Sequence, residues 1–383
     1  MADRPGRFAV VPVLIDVPAD GHDGPTSITE VARLAGVSIA TVSRVVSEAD
    51  YAVSPATRER VLDAARTLDY VPNALARGLL KRRIPVVGVI VHDITDPYFS
   101  EVVRGVEDGA SPAGYLVITC SSERDAEKER SYVRLLRAMR PAALIFAGSG
   151  LDDPALNEEV PKHLAAMRAH GAAIIHLSPH ARGGPDVGVD NVAGVASLVA
   201  ALVALGHRRI AFLAGPPGLY VARQRLDGYR RGLAEAGIAF DPALVVAGGF
   251  DQEAGARGVD ALLRGRAPFT AIGGANDLLA LGALARLAEL GMAVPGDVSV
   301  AGFDDVQVAA LTAPSLSTVR VPLRELGRRG FEHAERVLEG EDPGPELLPT
   351  TVVLRGSTAG PPTDPLPARP AIATSAPPGG PPP

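Results

Sequence analysis

Between Ile39 and Arg44 the chain sets two apolar side chains, two hydroxyls and a guanidinium within about two turns of a helix. Such a group can touch thymine methyls, donate to phosphate oxygens and fork onto a base edge, the chemistry that reads double-stranded DNA. Val42, Val45 and Val46 interleave with these residues and turn the opposite face toward a core. Ile39, Ala40, Thr41, Ser43 and Arg44 are left pointing outward.

A preceding helix must position this one. In ITEVARLAGVSIATVSRVVSEA, residues 28–49, Ile28, Val31, Ala32 and Ala35 recur at three- and four-residue steps on one face. Gly36 reverses the chain, and Ser38 can cap the second helix by accepting from a free backbone N–H. Small Ala32, Gly36 and apolar Val42 together allow a close crossing. An ordinary helical hairpin shares parts of this pattern, but the combination predicts a helix-turn-helix whose second helix enters a major groove. Ser54 and Pro55 open a third helix, in which Val61, Leu62, Ala65 and Leu68 should close a small core.

At 383 residues, 46% hydrophobic and 21% charged, the chain can bury a large core and should divide into two or three domains. No apolar run approaches the roughly 20 residues that span a bilayer. FAVVPVLIDV, near the start, is interrupted by Pro12 and lacks a small-residue cleavage pattern, so the expected location is cytoplasmic, with no membrane partner. Residues 1–25 read as a disordered extension or as the product of a misassigned start. Lone Cys120 excludes an intrachain disulfide, and its setting in YLVITC predicts a buried structural thiol. Net charge is −6, yet residues 26–83 carry nine Arg or Lys against six Asp or Glu. Basic charge is therefore concentrated where phosphates would be met.

After the third helix, VPNALARGLLKRR has a break at Pro72, a capping residue at Asn73 and too few residues for a stable isolated helix. It is either a solvated linker or a segment that becomes helical on DNA. From Ile84 onward, short β-branched runs alternate with helical stretches in two series, the signature of parallel sheets covered by helices, with ligand space at the carboxyl ends of the strands. The tail beyond Gly360 is Pro-rich, lacks heptads and reads as disordered.

A helix-turn-helix, a P-N-x-x-A-R-x-L hinge and two α/β subdomains, in that order, resemble the LacI/GalR family of bacterial transcription regulators. VARLAGVSIATVSRVV, PNALARGL, LVALGHRRIAFLAGP, ANDLLALGALARLAELGMAVPGDVSVAGFDD and PSLSTVRVP carry the resemblance, which covers residues 26–358. It implies an all-α headpiece at 26–71, a hinge helix and linker at 72–83, and a periplasmic-binding-protein-like α/β core at 84–360. The core would hold two doubly wound subdomains, 84–188 plus 322–342 and 189–321 plus 343–360, followed by the tail 361–383. A homodimer on a near-palindromic operator, gated by a small effector and acting as a repressor rather than an activator, is the function so implied.

By position, the resemblance puts Ile39, Ala40 and Arg44 on bases and Ser27, Ser38, Thr41, Ser43 and Thr57 on phosphates. It places Asn73 and Leu79 in the hinge, with Leu79 wedged into the minor groove. Tyr98, Phe99, Ser178, Arg225, Asn276 and Asp304 would line the effector cleft. An Arg, an Asn and an Asp converging on one cleft suit a polyhydroxylated ligand, because each can make paired hydrogen bonds to neighbouring hydroxyls. Ser178 stands where the family often has aspartate, Val321 where it often has glutamine, and Leu219 and Val221 where purine-binding relatives are polar. The cleft is therefore more apolar than usual, which moves the expected effector from a simple hexose toward a deoxy sugar, a glycoside or another metabolite. A purine- or nucleoside-responsive regulator of the same family is the alternative.

A transport-type sugar-binding protein would share the core but has no use for residues 26–83. No G-x-S-x-G elbow, P-loop or G-x-G-x-x-G after a strand is present, and the eight His lack metal-ligand spacing, so neither an enzyme nor a metal or other cofactor is expected.

Overall fold

The computed structural model describes residues 27–46, 53–70, 84–181, 184, 186–265 and 267–362. Asn73 and Leu79 of the expected hinge, residues 1–25 and residues 363–383 lie outside the described residues. The chain divides into two compact units at Leu80 and Lys81.

The first unit holds α1 (Ile28–Ala35), α2 (Ile39–Val46) and α3 (Pro55–Thr67). Ser27 and Glu30 form a reciprocal capping box on α1, and Gly36 ends the helix at φ 64°, a conformation that favours glycine. Ser38 accepts from the Thr41 N–H at 3.1 Å and so caps α2. Ser54 does the same for α3, through the Thr57 N–H at 3.3 Å. Val31, Ala32, Ala35, Val42, Val45, Val61 and Ala64 form the core. Leu62, expected inside, is 39% exposed, and Ala64 takes an inward position instead. The inward face runs from Val61 to residues three, four and seven further on, whereas Leu62 is rotated by about 100° from it.

The second unit is built on two four-stranded parallel sheets. The first half contains β1 (Ile84–Val91), α4 (Pro97–Ala110), β2 (Leu116–Ser121), α5 (Ala126–Met139), β3 (Pro141–Phe146), α6 (Pro154–Ala169) and β4 (Ala173–His176), with strand order β2-β1-β3-β4. After β5 (Val187–Val189) and α7 (Asn191–Ala204), the second half contains β6 (Ile210–Gly215), α8 (Tyr220–Glu235), β7 (Val245–Ala247), α9 (Gln252–Gly265), β8 (Ala271–Gly274), α10 (Asp277–Glu289) and β9 (Ser299–Ala301). Its order is β7-β6-β8-β9. β10 (Thr318–Arg320), α11 (Leu323–Leu338), β11 (Glu346–Leu348) and β12 (Thr351–Val353) complete the described elements, with β10 antiparallel to β12 and β11 parallel to β5. Cys120 is half-buried rather than buried, because its strand β2 is an edge strand.

Two helices are absent from the sequence reading, α9 and α11. Each buries glycines beside its apolar residues: Gly255 and Gly258 with Val259 and Leu262 in α9, Gly327 and Gly330 with Leu323, Leu326 and Phe331 in α11. The glycines permit backbone contact. α11 crosses back to α4 so closely that a Cβ at Gly327 would sit 1.9 Å from the Val102 carbonyl oxygen, and one at Gly105 would sit 1.9 Å from that of Arg324. Gly327→Ala is expected to force the pair apart and cost about 1–3 kcal/mol, read as a lowered urea midpoint.

Candidate functional site

In both sheets the strands run parallel, so their carboxyl ends open on one side, and the loops that follow them carry the polar side chains. Tyr98 and Phe99 follow β1, Ser178 follows β4, Arg225 lies in the first turns of α8 after β6, and Asn276 and Asp304 follow β8 and β9. All six line a single cavity whose free space is about 40 Å3, room for only a few waters. A larger ligand therefore requires the two halves to part. Ser149 Oγ accepts from the Val221 N–H at 3.0 Å, and Arg223 pairs with Asp152 at 2.9 Å, contacts that join the halves at the rim.

Arg225 is the centre of the cleft. Its Nε donates to Asn191 Oδ1 at 3.1 Å, one terminal nitrogen donates to the Ala275 carbonyl, and the other donates to Asp304 Oδ1 at 2.9 Å. The guanidinium lies over the Phe303 ring, 4.1 Å from its centroid. Three of its five N–H groups are thereby used, and two remain for a ligand. Asn276 caps α10 by accepting from the Leu279 N–H at 2.9 Å and donates to the Phe250 carbonyl at 3.1 Å, so it is oriented by the fold and keeps one N–H for a ligand. Ser178 donates to the Ala147 carbonyl at 3.2 Å. Val321 is buried and is not part of the cavity wall.

Burial pushes the Asp304 carboxyl up to about 7, against the pull of Arg225. Asp304 sits at φ 114°, in a loop held by its neighbour Asp277, which accepts from the Val306 N–H at 2.8 Å and from the Thr318 hydroxyl. Ligand hydroxyls need the ionised carboxylate as acceptor. Below about 7 the proton must leave before binding, so effector affinity is expected to fall about tenfold between pH 8 and pH 6. Titration calorimetry should show that dependence, and Asp304→Asn should flatten it.

On the headpiece, Ile39 is 47% exposed, Ala40 and Arg44 are exposed, and Thr41 and Ser43 are half-buried. One face of α2 thus presents the three expected base readers. The hydroxyls are partly engaged: Ser27 donates to Glu30 at 3.2 Å, Ser38 and Thr41 share a hydrogen bond of 2.9 Å, and Ser54 donates to Thr57 at 2.9 Å. They cluster at helix N-termini, where backbone N–H groups and the helix dipole favour phosphate.

Residues 27–73 match the bacterial regulatory proteins of the lacI family, and residues 199–358 match the periplasmic binding protein-like domain. The HTH-type transcriptional repressor CytR of Escherichia coli K12 is 33% identical over 343 residues, 89% of this chain and 98% of that protein. The chain belongs to the lacI family. Among solved structures, the lac repressor dimer bound to operator and the anti-inducer ONPF superposes with a TM-score of 0.76 at 30% identity, covering 88% of this chain and all of that one. The transcriptional regulator CelR in complex with cellobiose gives 0.65 at 31% identity, over 87% of this chain and 99% of that one.

As a lacI-family protein the chain is a DNA-binding transcriptional regulator with an effector-binding core, not an enzyme. Among the described residues, no helix is long and apolar enough to cross a membrane. Six lining residues of this regulator's cleft escape sequence reasoning: His92, Asp96, Arg124, Ala147, Ser149 and Phe250. His92 bonds the Ser149 carbonyl through Nε2 at 2.8 Å, and burial, with Arg124 adding to it, pushes its pKa down to about 4. It is a neutral, fixed ring, edge-on to Phe99. Position after a strand was the one signal available for these residues.

Proposed function

We propose that this regulator is a homodimeric repressor that binds a near-palindromic operator and is gated by a polyhydroxylated ligand carrying a flat or apolar substituent, a glycoside or nucleoside. Residues 26–71 would form the DNA-binding headpiece, 72–83 the hinge with Asn73 and Leu79, and 84–360 the effector core, working in the cytoplasm. The observation that carries the effector reading is the buried Arg225–Asp304 pair, 2.9 Å apart in a cavity lined from both halves of the core. Two spare guanidinium N–H groups and a carboxylate suit vicinal hydroxyls. Tyr98, Phe250, Leu219 and Val221 supply an apolar wall for the substituent. A ligand that binds only the parted or only the closed cleft shifts the balance between them, and with it operator affinity.

The dimer is supported by the lac repressor dimer structure and by exposed Leu116 and Leu311, at 63% and 77%, which offer apolar surface to a second copy. A concentration-independent tetramer in sedimentation would refute it. For gating, a thermal-shift screen of monosaccharides, glycosides and nucleosides should yield a hit that changes operator affinity at least tenfold. A hit that stabilises the protein and leaves operator affinity unchanged would defeat the gated reading.

A further inference from the structure

Away from the cleft, between α5, α6 and the ends of β3 and β4, lies a separate cavity of about 190 Å3. Leu156, Val160 and Leu164 of α6 supply apolar lining, and Gly148, Gly150 and Leu151 line it as well. Glu129 of α5 also lines it. Glu129 is 7% exposed as a residue, and its carboxyl has no hydrogen bond or ion pair among the described residues. Lys128 pairs with Glu123 and Arg130 with Glu127, while Arg168 and Asn157 also line the cavity without bonding the Glu129 carboxyl. Burial alone pushes the Glu129 carboxyl up to about 7. A buried acid without a partner costs stability, and a leucine or glutamine would avoid much of that cost, so the residue calls for a partner that the chain itself does not supply.

The opposite wall states what that partner could be. Phe146, His176 and His180 stack in a column, with centroid separations of 5.0 and 3.8 Å and planes within 9° of parallel. A column that lines a cavity along its length presents ring edges, which are electropositive and fit the π face of another ring. An apolar cavity of about 150 Å3 takes benzene, so this one has room for such a ring with a small polar substituent.

We propose that this cavity is a second small-molecule site, which takes a flat ring bearing an amidine or amino group, its N–H groups donating to Glu129 and its π face against the edges of Phe146, His176 and His180. The site is independent of the effector reading of the cleft. One stretch of its lining, from Gly148 to Leu151, adjoins Asp152, which pairs with Arg223 of the other half.

Titration calorimetry of the full chain with benzamidine, and with toluene as the neutral ring, tests it. Wild type is expected to bind benzamidine saturably and one to one, and toluene at least tenfold more weakly. Glu129→Gln should lose at least tenfold in benzamidine affinity, and Val160→Phe, which fills the cavity but keeps the carboxyl, should also abolish binding. Melting curves confirm that both variants are folded. Benzamidine binding that survives both changes, or toluene binding as tight as benzamidine, overturns the proposal. So does the absence of saturable binding to wild type, which would leave the cavity to water.

Discussion

Replacing Arg225 by alanine is expected to weaken effector binding at least a hundredfold and to abolish the effector's influence on operator affinity. Two charge-assisted hydrogen bonds to ligand are lost, each worth about 1.5–3 kcal/mol, and every 1.4 kcal/mol is a factor of ten. The same change leaves Asp304 buried without its 2.9 Å partner and removes the donors to Asn191 and the Ala275 carbonyl. Breaking a buried pair from one side costs about 3–5 kcal/mol, so the melting temperature should fall as well. Stability and recognition can be separated with the double variant Arg225→Met with Asp304→Asn, which removes both charges and keeps at φ 114° a side chain that tolerates it. It should regain part of the stability and none of the effector response. An effector that still shifts operator affinity in Arg225→Ala, with unchanged midpoint, would remove the guanidinium from the site.

The positions of Arg225, Asn276 and Asp304 come from the family resemblance, and the topology gives a physical reason for two of them. In a parallel α/β half every strand ends on the same side, so Asn276 and Asp304, just after β8 and β9, are delivered to the cleft whatever the details of packing, whereas Arg225 reaches it from within α8. The headpiece is legible for a related reason: Val31, Ala32, Val42 and Val45 obey the helix period, and the cap at Ser38 follows from local geometry. Where long-range packing replaces a local signal, sequence reasoning loses its hold. α9 and α11 do carry apolar residues at helical spacing, Val259 and Leu262 in one and Leu323, Leu326 and Phe331 in the other, but Gly255 and Gly327 set part of each inward face against a neighbouring backbone, which no spacing announces. Asp277 has the look of a turn residue, yet it tethers the loop that presents Asp304, because Val306 and Thr318 come to it from residues 29 and 41 positions away. Glu129 stands four and seven residues before buried Val133 and Leu136, so the helix period puts it on the inward face, but an acid among charged neighbours does not read as part of a core.

In the headpiece, Arg44→Ala is expected to erase base preference at one G·C pair in each half-site. Ile39 and Ala40, the other two residues expected on bases, have no donors or acceptors in their side chains and can offer only methyl contact and shape. A guanidinium on guanine O6 and N7 supplies about 1–3 kcal/mol of discrimination, so roughly 5- to 150-fold in relative affinity should vanish at that position. The measurement is a panel of operators changed one base pair at a time, titrated with wild type and variant at fixed salt. Loss at one symmetric pair of positions, with the other preferences intact, identifies Arg44 as the reader. A uniform loss across the panel, with a salt slope reduced by about one for each headpiece, would instead make it a phosphate contact. In that case the hydroxyls and helix ends at Ser27, Ser38 and Thr57 would share their task with Arg44, and specificity would have to come from operator shape and the methyl contacts of Ile39 and Ala40.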